Sequence, residues 1–134
     1  MILGLGIDSA EIERFIHWHR FTEQQLLKFF SQHEIDYCKA IPAKSAERFA
    51  ARFAAKEALF KALSNLIPEK PLLLLAVAKK SEIYQGIHGA PIIRIDWPFF
   101  ISTFFPQLKT APVAHISITH TRTIATVCII LESK

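Results

Sequence analysis

A fold that mixes helix and sheet is what this sequence predicts, and three stretches predict it. Ala51 to Leu63 is filled almost entirely by Ala, Leu, Lys, Glu, Arg and Phe, with no Gly or Pro, which reads as helix. Ile2 to Asp8 alternates with period two, setting Leu3, Leu5 and Ile7 on one face and Gly4, Gly6 and Asp8 on the other, as a strand does. Val113 to His120 and Ile124 to Glu132 are rich in β-branched residues and flank a polar Thr121-Arg122-Thr123 turn, the pattern of a hairpin. The chain has 134 residues and shows no repeat or linker, so a single domain over 1-134 is expected.

The elements between follow from local signals. Asp8-x-x-Glu11 resembles a capping box, and a helix is expected from Ala10 to His19 with Ile12, Phe15 and Ile16 inward. Thr22-x-x-Gln25 and Ser31-x-x-Glu34 are two more such boxes, starting short helices that bury Leu26, Phe29, Phe30, Ile35 and Tyr37. Pro42 closes that region, and the long helix is expected from Lys44 to Ser64. After Pro68 and Pro71, the apolar run Leu72 to Ala78 reads as a buried strand, although its periodicity equally allows a helical turn. Extended pieces at Glu82 to Gln85 and Pro91 to Trp97 surround a turn at Gly86 to Gly89, and a helix is expected over Phe99 to Leu108.

The long helix carries most of the informative residues. At about 100° per residue, Phe49, Phe53 and Phe60 form one stripe, Glu57 and Lys61 follow one margin, and Arg52 and Lys56 follow the other. Ala51, Ala55, Ala58 and Ala62 make the opposite side small enough for another backbone to approach closely, so the helix is expected to be packed on two sides. Taken alone, Glu57 and Lys61 are also an ordinary i, i+4 ion pair.

Net charge of +4 favours anionic partners, but no block of basic residues suggests nucleic acid. Cys38 and Cys128 are widely spaced, with no metal knuckle, which fits a reducing compartment. Met1 to Asp8 does not read as a signal peptide, and Leu72 to Ala78 is far shorter than the ~20 residues of a membrane span. A cytoplasmic protein without membrane partners is the expectation.

Three places offer chemistry: Asp8 after its glycine strand, Glu57 with Lys61, and the final hairpin with His115, Ser117, Thr119 and His120. Two carboxylates from separate elements suit a hard divalent cation such as Mg²⁺, which keeps waters and shares phosphate oxygens. A lysine beside them would neutralise a phosphate, and a nearby histidine would relay a proton. As single residues, His115 reads as a hydrogen-bonded strand residue and His120 as a turn residue.

In combination these motifs are more specific. Gly4-x-Gly6-Ile7-Asp8-x-x-Glu11-Ile12-x-Arg14, then Arg52-Phe53-Ala54-Ala55-Lys56-Glu57-Ala58-x-x-Lys61-Ala62, then His115-Ile116-Ser117-Ile118-Thr119-His120 resemble the small holo-[acyl-carrier-protein] synthases of the 4'-phosphopantetheinyl transferase family. The resemblance spans nearly the whole chain. It implies an α+β fold, with a long central helix packed on a small antiparallel sheet and short N-terminal helices. It also implies Mg²⁺-dependent transfer of 4'-phosphopantetheine from coenzyme A to a serine of apo acyl carrier protein, for fatty acid biosynthesis, by a homotrimer with coenzyme A clefts between subunits. On that resemblance Asp8 and Glu57 match metal ligands, and Glu57, Lys61 and His120 match catalytic positions. Arg52, Lys56, Lys61, Thr119 and His120 match cofactor contacts, while Arg14 and Arg20 match residues that face the carrier protein. Glu57, a metal-bound water and His120 all remain open as the base. The chain departs from the family where Ser64-Asn65-Leu66 replaces a Gly-Thr-Gly turn, where Gly89-Ala90-Pro91 lacks a lysine, and where Ile124 replaces a frequent Tyr. Loss of the glycine turn leaves a non-catalytic module that binds coenzyme A or a carrier protein as the alternative.

Overall fold

Packing of one helix against one sheet dominates the computed structural model, which describes residues 1–134. Three antiparallel strands, β1 (Ile2–Glu11), β4 (Val113–His120) and β5 (Ile124–Glu132), form a sheet in the order β1-β5-β4. β5 lies centrally because it pairs with both others, Leu5 opposite Ile130 on one side and His115 opposite Ile130 on the other. Against this sheet lies α3 (Ser45–Ser64), the expected long helix, with a 3-10 turn at Pro42–Lys44 before it. A separate hairpin of β2 (Ser81–Gln85) and β3 (Pro91–Ile95) completes the strands.

Small residues explain the contact between α3 and β1. Gly4 and Gly6 are buried, and a Cβ on either would fall on the backbone carbonyl of Ala62 or Ala58 respectively. The alanine side of α3 is therefore the side that meets β1. On the opposite flank, Phe49 is fully buried and Phe53 partly so, within an aromatic cluster that includes Phe15, Trp18, Phe29 and Phe30. Each buried phenylalanine there contributes roughly 1.5–3 kcal/mol. Phe100, Phe104 and Phe105 form a second buried group, so that aromatic segment is core within one chain.

The short helices begin as expected. Thr22 and Ser31 each accept from the backbone three residues on while Gln25 and Glu34 bond back, completing capping boxes at α1 (Glu23–Leu26) and α2 (Gln32–Lys39).

Three expectations are corrected. The helix over Ala10 to His19 is absent: β1 continues to Glu11, Ile12 N–H donates to the Thr123 carbonyl, and two 3-10 turns follow at Ile12–Phe15 and Trp18–Arg20. Sheet pairing of Ser9, Ala10 and Glu11 with β5 outweighs the local capping signal at Asp8, and Ile16 is left exposed while Phe15 is buried. Leu72 to Ala78 is not a strand but mostly a short helix, α4 (Leu74–Lys79), which buries Val77 and Ala78 and leaves Leu75 exposed. Its apolar run has no partner strand to join, so helical hydrogen bonds satisfy its backbone. The last helix is α5 (Trp97–Thr103), begun by Asp96, whose carboxylate accepts from Phe99 N–H, and it ends well before Leu108.

The exit of α3 departs from the family turn in a definite way. Asn65 Oδ1 accepts from the Leu5 N–H at 2.9 Å, tying the turn to β1. Gln107 holds the Leu66 carbonyl, and Ile67 takes a left-handed φ of 56°, an unusual conformation for a β-branched residue.

The backbone contact gives a direct expectation. Gly6→Ala forces α3 away from β1 and costs about 3 kcal/mol in urea unfolding, whereas an Ala at exposed Gly89 of the β2–β3 turn leaves the α3–β1 contact intact. Gly89 has φ 79°, so its substitution carries a backbone cost of its own, and a destabilisation near zero for Gly6→Ala contradicts the close approach.

Candidate active site

Asp8, near the middle of β1, and Glu57 and Lys61, one turn apart on α3, come together because of that close approach. Lys61 Nζ donates to Asp8 Oδ1 at 3.0 Å and to the Ile7 carbonyl at 2.9 Å. Glu57 is half-buried beside them. Burial pushes its carboxyl above the usual range, and the negative charge of Asp8 pushes it further, against the pull of Lys61 and then Arg14. Arg14, stacked on the rings of Phe15 and Phe53 at 5.3 and 5.4 Å, thus sits at the rim of this cluster.

Two adjacent carboxylates that repel one another form a donor set suited to a hard cation, which would relieve that repulsion. Asp8 and Glu57 would suit Mg²⁺ on these grounds. Lys61 is half exposed while Asp8 is mostly buried. Such a pair contributes only about 0.2–1 kcal/mol to stability, so its value lies in placing an ammonium next to the carboxylates.

A second group of expected residues lies elsewhere on the same chain. His120 Nε2 meets Glu47 Oε1 at 3.1 Å, and its Nδ1 faces the Thr121 carbonyl at 3.3 Å. It opens on a cavity of about 190 Å³ shared with Tyr37, Arg48, Arg52 and the β2–β3 turn. Arg52 is nearly buried, stacks on the Tyr37 ring at 4.3 Å, and has an Nε without a partner. Burial pushes its guanidinium pKa down, yet Cys38, Tyr37 and Glu34 favour the charged form. Thr119 is exposed on β4, where it pairs with Thr126. Arg20 is exposed on its 3-10 turn.

Helix geometry separates the two groups. Arg52 and Lys61 are nine residues apart, which rotates them by roughly 180° and translates them by roughly 13 Å. One chain therefore brings Asp8, Glu57 and Lys61 together and brings Arg52 and His120 together, but does not join the two sets. Arg48, Glu47 and Tyr37 escaped the sequence reading. Arg48 had a signal, since it stands one turn before Arg52 at i, i+4 on the same face.

Lys56 corrects the expectation of a cofactor contact. It is fully buried, and its ammonium donates to Glu34 Oε1 at 2.9 Å, to the Ala78 carbonyl at 2.8 Å and to the Ser81 carbonyl at 2.6 Å. All three N–H donors are used. Burial pushes its pKa down while Glu34 opposes the shift, and Glu34 itself also accepts from Ile83 N–H at 2.9 Å. Lys56 is thus the pin that fastens α3 to α2, α4 and β2.

Comparisons with known proteins show the family. The family model described as the 4'-phosphopantetheinyl transferase superfamily matches residues 4–128. The chain is 35% identical over 135 residues to the holo-[acyl-carrier-protein] synthase of Treponema denticola, covering 98% of this chain and 99% of that protein. It is 31% identical to the enzyme of the same name from Koribacter versatilis, with the same coverages of 98% and 99%. Among solved structures, a holo-(acyl-carrier-protein) synthase from Bacillus anthracis in complex with CoA (3',5'-ADP) superposes with a TM-score of 0.74 at 25% identity, covering 100% of this chain and 99% of that one. The coenzyme A complex from Helicobacter pylori gives a TM-score of 0.70 at 28% identity, covering 96% and 99%.

Two stability measurements follow from the buried charges. Because the folded state raises the Glu57 pKa, its favourable contribution is full below the unfolded carboxylate value of about 4.3 and is lost as pH rises through the raised value. Glu57→Gln is therefore slightly more stable than the parent at pH 7, by less than about 1 kcal/mol given its partial exposure, and the gap closes toward pH 4. A gap that widens on acidification would reverse the assignment. Lys56→Met leaves Glu34 buried and unpaired and costs about 3–5 kcal/mol in urea unfolding, most of which Glu34→Gln added to it restores.

Proposed function

The chain belongs to the 4'-phosphopantetheinyl transferase superfamily, and from that membership we propose that it acts as a holo-[acyl-carrier-protein] synthase. In this reading it moves the 4'-phosphopantetheine of coenzyme A to a serine of apo acyl carrier protein and releases adenosine 3',5'-bisphosphate. The observation that carries the proposal is the convergence of Asp8 and Lys61, 3.0 Å apart, with Glu57 one helical turn from Lys61 and close enough to feel the charge of both.

Asp8 and Glu57 would hold Mg²⁺, which supplies charge stabilisation to the pyrophosphate when bound. The carrier serine oxygen attacks the phosphorus that bears the pantetheine. A new O–P bond forms as the bond from that phosphorus to the bridging oxygen breaks, and charge collects on the departing bisphosphate. Lys61 is the cation next to that charge. The serine proton passes to a base at this site, for which Glu57, a metal-bound water and His120 are the candidate groups. Arg48, Arg52 and His120, which line one cavity, would receive another phosphate of coenzyme A. Arg14 and Arg20, both exposed, suit steering of an acidic carrier protein.

Separation of the two cationic groups on opposite faces of α3 supports a homotrimer in which one subunit supplies Asp8, Glu57 and Lys61 and its neighbour supplies Arg52 and His120. The outer face of the sheet supports it too, since Leu5 and Ile7 are 55% and 57% exposed there.

The test is incubation with coenzyme A, Mg²⁺ and apo carrier protein, read by mass spectrometry. Transfer is expected, with kcat reduced about 100-fold by Lys61→Ala. Leu5→Glu is expected to give folded monomers by sedimentation that no longer transfer. Retained coenzyme A binding without transfer by the folded parent would establish the non-catalytic alternative, and a fully active monomer would remove the shared site.

A further inference from the structure

β1 pairs with β5 on one side and with no strand on the other, since the sheet order is β1-β5-β4. In an antiparallel strand, every second residue turns its N–H and C=O away from the partner. On an edge strand those groups are left to solvent or to side chains. Two of them are taken by α3: Leu5 N–H donates to Asn65 Oδ1 at 2.9 Å, and the Ile7 carbonyl accepts from Lys61 Nζ at 2.9 Å. Because an N–H can only donate, the amide oxygen of Asn65 is the atom that faces Leu5.

Both bonds follow from one geometry. Leu5 and Ile7 are two residues apart on the strand, which separates them by roughly 7 Å. Lys61 and Asn65 are four residues apart on the helix, which separates them by roughly 6 Å and sets them on one face. Strand and helix run in opposite directions here, with Ala62 against Gly4 and Ala58 against Gly6, so the later helix residue meets the earlier strand residue. Asn65 and Lys61 thus occupy the edge of β1 where a further strand would pair.

Lys61 needs such a fixed point. It lies in the last turn of α3, where helices fray, and half of its side chain is in solvent, so packing does little to hold it. Gly4 and Gly6 let α3 approach β1 closely but carry no side chain to interlock with it. A directional hydrogen bond at the end of the helix supplies what those contacts lack. It sets the height of the last turn along β1, and with it the reach of Lys61 Nζ to the Ile7 carbonyl and to Asp8 Oδ1, 3.0 Å away.

We propose that Asn65 is a positioning residue for Lys61: its hold on Leu5 N–H keeps the last turn of α3 in the register that puts the lysine ammonium beside Asp8. What Lys61 does there rests on the transferase reading above, whereas the tie itself stands on the two hydrogen bonds.

Asn65→Ala tests it in two backgrounds. With coenzyme A, Mg²⁺ and apo carrier protein saturating, the substitution is expected to lower kcat about tenfold in the parent. In Lys61→Ala it is expected to change kcat by less than about twofold, because no ammonium is left to misplace. Ser64→Ala loses only a bond to the Phe60 carbonyl within α3 and keeps parental kcat. NMR of the full chain with ¹³C-labelled lysine gives a reading without turnover. The two Hε protons of Lys61 are expected to be inequivalent in the parent and to merge in Asn65→Ala, while those of buried Lys56 stay inequivalent. An equal fall of kcat in both backgrounds would make Asn65 a structural residue only and overturn the proposal. So would a parental kcat in Asn65→Ala, or a Lys61 Hε pair that it leaves unchanged. A parent that transfers nothing ends the transferase reading alone, and the Hε pair then decides whether Asn65 places the ammonium.

Discussion

Carbonyl oxygens of Ala58 and Ala62 occupy the space that side chains at Gly6 and Gly4 would need, so α3 and β1 meet backbone to backbone. Any larger residue at either glycine would move the helix outward. Asp8 follows two residues after Gly6, while Glu57 precedes Ala58 and Lys61 precedes Ala62. The same contact that closes the core therefore fixes how near the lysine and the two carboxylates come. Cost and benefit are coupled here: glycines weaken an isolated strand, but β5 pairs with β1 along almost its entire length and compensates for that weakness.

Two lysines five residues apart on α3 show how burial decides what an ion pair is for. Lys56 and Glu34 are both fully buried, with backbone groups taking up their remaining hydrogen-bonding capacity. Removing one partner leaves a desolvated charge, which is costly even where the pair as a whole adds little net stability. Lys61 and Asp8 form a pair of nearly the same length, 3.0 Å against 2.9 Å, but half of Lys61 remains in solvent. It can exchange its carboxylate for a phosphate at small cost. Distance does not distinguish the two pairs; solvent does.

That distinction also marks what the sequence could not reveal. The long helix, the first strand, the closing hairpin and both capping boxes were legible because each rests on a local pattern of spacing or propensity. Lys56 reads from the sequence only as one margin of the apolar stripe, because its partner, Glu34, lies 22 residues away and carries the local signal of a helix cap. In the fold Glu34 does both, accepting from Ser31 N–H and from Lys56 through the same oxygen. The strand that runs on to Glu11 and the helix at Leu74–Lys79 failed for a related reason: strand partners decided both, by their presence in one case and absence in the other. For the candidate site, the nearness of Asp8 to Glu57 was carried by the motifs, whereas Arg48 and Glu47 emerged only once α2 and the β2–β3 turn were set against α3.

The long helix also acts as a spacer. Its Arg48–Arg52 face and its Glu57–Lys61 face point in opposite directions, and no rotation within a single rigid helix brings them to one ligand. A substrate that carries a pyrophosphate and a separate phosphate would need cations at two places, and the proposed trimer provides them by setting the C-terminal half of one α3 opposite the N-terminal half of another. Under that arrangement, the apolar outer residues Leu5 and Ile7 and the acidic Asp8 belong to one strand for a physical reason. The exposed apolar residues alternate with the residues that meet α3, so the outer apolar face and the carboxylate position are set by the same period-two register. A one-residue slip of β1 against β5 would turn Leu5 and Ile7 inward and Asp8 away from Lys61 together.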